Sequence, residues 1–215
     1  MSENMRVKIC GLCGTSDLNN AISAGAAYIG FNFFPKSPRY IDIDSAANLT
    51  SKVHSSVIKV ALIVNESDQF LDSLLSKVAP DMLQLHGSES PERVAEIKSR
   101  FGMPVMKAIG IAEVSDLRQI NAYAYVADQL LLDARPPADS DRPGGNALPF
   151  DWNIIAGYSW TAPWMLAGGL TAKNVAEAVK LTGASQIDVA SGVESRPGVK
   201  DERLIREFII AAKAS

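Results

Sequence analysis

Val7-Lys8-Ile9-Cys10-Gly11 is a short apolar run that brings a thiol to the point where a strand should end in glycine. Leu130-Leu131-Leu132-Asp133 and Gln186-Ile187-Asp188-Val189 repeat the design with carboxylates. Three ionisable groups, each near the end of an apolar strand, suggest one shared site.

Outward from these three runs, short apolar segments alternate with amphipathic ones along the whole chain. Strands are expected near Arg6–Cys10, Ala27–Phe33, Val57–Val64, Asp81–Leu85, Pro104–Ala108, Gln129–Asp133, Trp164–Ala167 and Gln186–Val189. Their starts lie about 21 to 35 residues apart, the spacing of successive βα units whose crossovers hold a helix. Helical periodicity fills several gaps, as with Leu71, Leu74, Leu75 and Val78, and with Leu204, Ile205, Phe208 and Ala212. Ser67-Asp68, Ser90-Pro91-Glu92 and Thr171-Ala172-Lys173-Asn174 supply helix starts. The segment Ala134–Pro149 holds four prolines and two glycines, so a long loop is expected there, with a shortened helix near Asp151–Ala156. Eight such units without an antiparallel hairpin signal favour a single (βα)8 TIM barrel, an α/β fold, over a doubly wound open sheet. In a barrel the βα loops line one mouth, so Cys10, Asp133 and Asp188 should converge.

A length of 215 residues suits one large domain, and one barrel over residues 1–215 is expected. The apolar share of 47% and charged share of 21% are those of an ordinary globular protein. A net charge of −3 with scattered Lys and Arg argues against a nucleic-acid surface. Met1-Ser2-Glu3-Asn4 does not open a secretory leader, and no apolar run approaches the ~20 residues of a membrane span. A cytoplasmic location with no membrane contact is the expectation. Cys10 and Cys13 stand at C-x-x-C spacing, but His54 and His86 are not at ligand spacing from each other. One functional thiol and one incidental one, with no metal, is the preferred reading over a zinc site or a redox pair.

Gly168-Gly169 follows the seventh strand and Ser191-Gly192 the eighth, each with a helix start expected close behind. Backbone N–H groups exposed at such turns make an anion site, and this pair of loops is the usual phosphate cradle of barrels. The alternative is that the glycines merely permit tight turns. A phosphate site implies a phosphorylated small molecule, for which a sugar phosphate is the natural choice. Its other end would reach Arg39, in Pro35-Lys36-Ser37-Pro38-Arg39-Tyr40, and Gln84 and His86 around the fourth strand. Arg39 on a proline-flanked loop suits a bidentate grip on a carboxylate; a solvated arginine is the alternative. His86 alternates with Leu85, so its ring should face the interior or the mouth, where it is either a site residue or a hydrogen-bonded structural one. Asp133 and Asp188 have no obvious basic neighbour in sequence, and if both share a partly desolvated mouth, burial and mutual repulsion should leave one of them a proton to give.

Lys8-Ile9-Cys10-Gly11, Gly30-Phe31, Pro35–Tyr40, Gln84-Leu85-His86-Gly87, Leu131-Leu132-Asp133, Phe150-Asp151-Trp152, Leu166-Ala167-Gly168-Gly169-Leu170 and Asp188–Glu194, followed by Gly198-Val199-Lys200-Asp201, together resemble the phosphoribosylanthranilate isomerase family of tryptophan biosynthesis. The resemblance implies a (βα)8 barrel, a monomer or homodimer, that converts N-(5-phosphoribosyl)anthranilate to 1-(2-carboxyphenylamino)-1-deoxyribulose 5-phosphate by an Amadori rearrangement without metal or cofactor. It implies Asp133 as general acid and Cys10 as general base. It also implies Arg39 at the anthranilate carboxylate, Gln84, His86 and Asp188 at the substrate, and Gly168, Gly169, Ser191 and Gly192 at the phosphate. Two departures stand out: Cys13-Gly14 replaces the Thr or Ser common after the Cys-Gly pair, and the loop Arg142–Pro149 lacks the Thr-Gly-Lys that often follows its double glycine. Another sugar-phosphate isomerase, epimerase or aldolase would keep the barrel; an aldolase would need a Schiff-base lysine, and Lys107 is a better candidate than Lys8. A non-catalytic phosphometabolite sensor is the reading outside enzymes.

Overall fold

The computed structural model describes residues 5–135, 144 and 149–215. Eight parallel strands pair in chain order and close into a barrel: β1 (Arg6–Cys10), β2 (Tyr28–Asn32), β3 (Ile58–Ile63), β4 (Met82–Leu85), β5 (Val105–Ile111), β6 (Gln129–Ala134), β7 (Trp164–Leu166) and β8 (Gln186–Val189). Closure comes from β8 pairing with β1, which sets Lys8 opposite Asp188. The expected strands are all present, and β5 runs three residues further than the sequence suggested.

Alternation along each strand sorts residues between two layers. Val7 and Ile9 of β1, Leu83 and Leu85 of β4, and Leu130 and Leu132 of β6 join the large core between barrel and helices. Tyr28, Val60, Met106, Leu131 and Met165 fill the barrel interior. The outer layer is α1 (Thr15–Ala24), α2 (Ile43–Thr50), α3 (Asp68–Val78), α4 (Pro91–Phe101), α5 (Ile120–Ala124), α6 (Val175–Thr182) and α7 (Glu202–Lys213). Ser67 and Ser90 cap α3 and α4 as expected, accepting from the N–H groups of Phe70 and Arg93, worth about 1 kcal/mol each. At the seventh crossover α6 begins at Val175, later than expected, because Asn174 turns its side chain back to accept from the Thr171 N–H. On α7 the spacing of Ile205, Phe208, Ile209 and Ala212 buries one apolar face against the barrel.

Two elements depart from the sequence reading. Instead of a shortened helix over Asp151–Ala156 there is one 3-10 turn at Trp152–Ile154, where Asp151 spends its carboxylate on Asn153. Nearby, Trp160 stacks on Trp164 with ring centroids 4.4 Å apart and meets Tyr158 at a tilt, 4.6 Å away, and the three pack on the outer core. Most of the expected loop over Ala134–Pro149, at 136–143 and 145–148, lies outside the described residues. After β8 the chain makes a 3-10 turn at Ser191–Val193, then an antiparallel hairpin of β9 (Glu194–Arg196) and β10 (Val199–Lys200) that the sequence reading did not include. Its turn glycine, Gly198, has φ +82° and lies so close to the Pro38 carbonyl that a Cβ would stand 2.3 Å from the oxygen. The hairpin is thereby pressed onto the loop that carries Arg39. No helix among the described residues is long and apolar enough to cross a membrane.

Candidate active site

The strand ends open into a cleft whose wall includes Cys10, Arg39, His86, Asp133, Gly168, Gly169, Asp188 and Ser191. Cys10 is the last residue of β1, 4% exposed. It sits in register with Gly30 of β2, and a Cβ on Gly30 would come within 2.8 Å of its sulfur. Glycine at position 30 therefore makes the room the thiol occupies. Gly11 then turns the chain at φ +78°, and Arg39 lies across it with Cδ 2.7 Å from where a Cβ would stand.

Beneath the thiol is Lys8, two residues earlier on the same inward face and fully buried. Its Nζ donates to Asp188 Oδ1 at 3.0 Å. Burial alone would lower the lysine's pKa, but the hydrogen-bonded Asp188 and the adjacent Cys10 hold it above the ordinary value. Burial pushes the Cys10 thiol up; the Lys8 ammonium pulls it down and Asp188 pushes it up again, with a net rise. The expectation that Asp188 stands unpaired against Asp133 is thus corrected: its charge is neutralised by a lysine 180 residues away in sequence.

Asp133 enters from β6. Its Oδ1 accepts from the Ala134 N–H at 2.8 Å, and its Oδ2 lies 3.4 Å from His86 Nε2. Gln84 Nε2 is 2.8 Å from His86 Nδ1. With the amide donating to Nδ1, a neutral ring carries its proton on Nε2, turned toward Asp133. Gln84 is fully buried and sits behind the imidazole, which its amide orients. Gly144 covers this pair so closely that a Cβ there would reach within 2.7 Å of both His86 and Asp133. The rest of the Arg142–Pro149 loop, apart from Pro149, lies outside the described residues.

Arg39 makes a bidentate grip on a carboxylate, but that of Glu194, with Nε to Oε1 at 2.7 Å and Nη2 to Oε2 at 2.9 Å. Lys200 adds a second cation to Glu194 at 2.8 Å and also donates to the Ala190 carbonyl. Burial pushes the Glu194 carboxyl up, but the Arg39 hydrogen bonds and the Lys200 charge outweigh it and hold its pKa below the usual glutamate value. Asn32 and Ser37 shape the Arg39 loop: the Asn32 amide donates to Ser37 Oγ, which accepts from the Arg39 N–H. The Cys13 thiol points at the Arg39 carbonyl, 3.4 Å away, and both cysteines are free.

Gly168 and Gly169 take φ of +86° and +61°, and with Leu170, Ala190 and Ser191 they form one wall of the cleft. Gly192 does not line it; its Cα is packed on the Leu170 carbonyl, which a Cβ would approach to 1.9 Å. Its part is to lock the β7 and β8 loops together, and the helix start expected behind Ser191 is only the 3-10 turn. Neither candidate Schiff-base lysine lines the cleft. Lys8 is paired beneath it, and Lys107 points outward to Glu89 at 2.8 Å and the Leu85 and Gly87 carbonyls. Lys8 was legible as a neighbour of Cys10, since strand residues two apart share a face. Glu194 and Lys200 were not, because their partner Arg39 lies more than 150 residues away in sequence.

A sequence model of the N-(5′phosphoribosyl)anthranilate (PRA) isomerase family matches residues 7–211. The N-(5′-phosphoribosyl)anthranilate isomerase of Cereibacter sphaeroides (strain ATCC 17029 / ATH 2.4.9) is 56% identical over 209 residues, covering 97% of this chain and 99% of the relative. That of Ruegeria sp. (strain TM1040) is 55% identical over 212 residues, 98% and 99% of the two chains. Among solved structures, monomers generated from the dimeric phosphoribosylanthranilate isomerase of Thermotoga maritima superpose with a TM-score of 0.85 at 33% identity, covering 98% of this chain and 100% of that one. A phosphoribosyl anthranilate isomerase in complex with reduced 1-(o-carboxyphenylamino)-1-deoxyribulose 5-phosphate gives 0.83 at 33% identity and the same coverage.

Proposed function

The chain belongs to the N-(5′-phosphoribosyl)anthranilate isomerase family, and from that membership we propose how its residues carry out the aldose–ketose isomerisation of tryptophan biosynthesis. The observation that carries the reading is that Cys10 and Asp133, from β1 and β6, open into one cleft beside the glycine turns of the β7 and β8 loops.

Asp133 protonates the furanose ring oxygen while the anilino nitrogen lone pair forms the C1′–N double bond, and the C1′–O bond breaks. The product of this step is an open-chain Schiff base. Cys10, as thiolate, removes the C2′ proton; the C2′–H electron pair forms the C1′–C2′ double bond while the C1′–N π pair returns to nitrogen, leaving an enolamine that tautomerises to the ketone. His86 keeps its Nε2 against Asp133 and so orients the acid. Gly168, Gly169, Leu170 and Ser191 receive the phosphate, and Asp188 faces the ribose. Arg39, oriented by Glu194, makes the positive wall that the anthranilate carboxylate meets. No metal or cofactor takes part. The cleft is built from one chain, so a monomer or a homodimer serves equally, and two free thiols suit the reducing cytoplasm.

The test is loss of the anthranilate-derivative fluorescence of substrate generated in situ, with chelator and reductant present. Wild type should accelerate the decay, and Cys10→Ser and Asp133→Asn should each cut turnover by about 10²- to 10⁴-fold, the span of general acid–base catalysis, while circular dichroism is unchanged. Near-wild-type turnover in either variant overturns the assignment. Chelator-sensitive decay overturns the metal-free part.

A further inference from the structure

We propose that Lys8 is a positioning residue, the buried counter-cation on which the Cys10 thiolate rests, and that Asp188 holds its ammonium in place from across the β1–β8 seam. The inference rests on the reading of Cys10 as the base. Lys8 and Cys10 share the inward face of β1 two residues apart, and the fully buried ammonium donates to Asp188 beside it at 3.0 Å. Lysine is almost never fully buried without a partner. A buried ion pair is also a poor choice for stability alone, since well-packed apolar residues of the same volume often do as well or better. A charge kept at this cost beneath a functional thiol needs a use.

The other charges facing Cys10 do not fill that role. Besides Lys8 and Asp188, these are Lys200 of β10 and Arg39 of the β2 loop, and both cations are committed to Glu194. Lys8 is shared instead between the thiol and a carboxylate that itself lines the cleft. In the ionised state the thiol proton leaves to solvent, the thiolate and the ammonium remain as a pair, and Lys8 stays protonated throughout the reaction. It never reaches the reacting carbon.

The experiment is an ultraviolet titration of the Cys10 thiolate in a Cys13→Ser background, with Cys10→Ser as the blank. Lys8→Met should raise the pH of thiol ionisation by about one unit or more, a tenfold loss of thiolate at neutral pH. Its kcat should fall by about the same factor, recover at alkaline pH, and leave KM within about threefold. Lys8→Met/Asp188→Asn removes the lone buried carboxylate, so it answers the question if the single variant does not fold; its rise should be smaller but of the same sign. A folded Lys8 variant that titrates at the wild-type pH, or whose activity loss is the same at every pH, overturns the proposal. Turnover surviving in Cys10→Ser would instead remove the base assignment, while the titration still reports the Lys8–Cys10 coupling.

Discussion

At Cys10, burial opposes ionisation more strongly than Lys8 favours it, so the thiol of the free protein titrates above the ordinary cysteine range. A base must be deprotonated to act, and a raised pKa makes the deprotonated fraction small at neutrality and larger with each step in alkali. The logarithm of kcat/KM should therefore climb through neutral pH and still be rising near the ordinary cysteine value of about 8.5. A pH–rate series checks this, and a plateau reached by pH 7 would contradict it. At this scale the sequence was legible where chemistry sits at a strand end: Cys10, Asp133 and His86 all line the cleft. It was not legible where a side chain's meaning depends on its partner. Arg39 read as a grip for a substrate carboxylate, yet its fork holds Glu194, 155 residues on. Gln84 sits two residues before His86, and only the fold shows that its buried amide holds the ring.

Among the elements, the β9–β10 hairpin does most to finish the site. Glu194 at its start and Lys200 at its end form a buried charge cluster with Arg39. Glu194→Gln would leave two buried cations without their carboxylate, a loss of about 3–5 kcal/mol, and would let Arg39 swing from the cleft wall. We expect a lower melting temperature and a KM raised about tenfold or more with a smaller change in kcat. The Glu194 carboxyl is held below its ordinary pKa; its stabilisation is thus present above the unfolded glutamate value and is lost as pH falls through the folded one. Acid should therefore narrow the stability gap between wild type and Glu194→Gln, as thermal melts at descending pH would show; a gap that is constant or widens would count against the cluster. The hairpin escaped the sequence reading because its strands are only three and two residues long. One signal was present in Pro197-Gly198, a turn pair. The eight barrel strands were legible because each is a continuous apolar run at βα spacing.

On the scale of the whole molecule, the barrel places its site through closure. Pairing of β8 with β1 brings Asp188 to Lys8, so the first and last strands must both be in place before the thiol has its surroundings. The helix that follows β8, α7, packs on α1 and β1 with Phe208 fully buried. Phe208→Ala should cost about 3–5 kcal/mol and, if the chain is one domain, should shift a single cooperative transition instead of splitting off a phase. Calorimetry with activity measured along the melt would show it; two transitions would contradict the one-domain reading. The central claim, however, is the division of labour between Asp133 and Cys10, and one measurement addresses it directly: the isotope effect on residual turnover with substrate deuterated at C2′. In Cys10→Ser, proton removal is the crippled step and a large primary effect is expected; in Asp133→Asn, ring opening is crippled and the effect should vanish. Equal effects in the two variants, or the reverse order, would contradict the assignment.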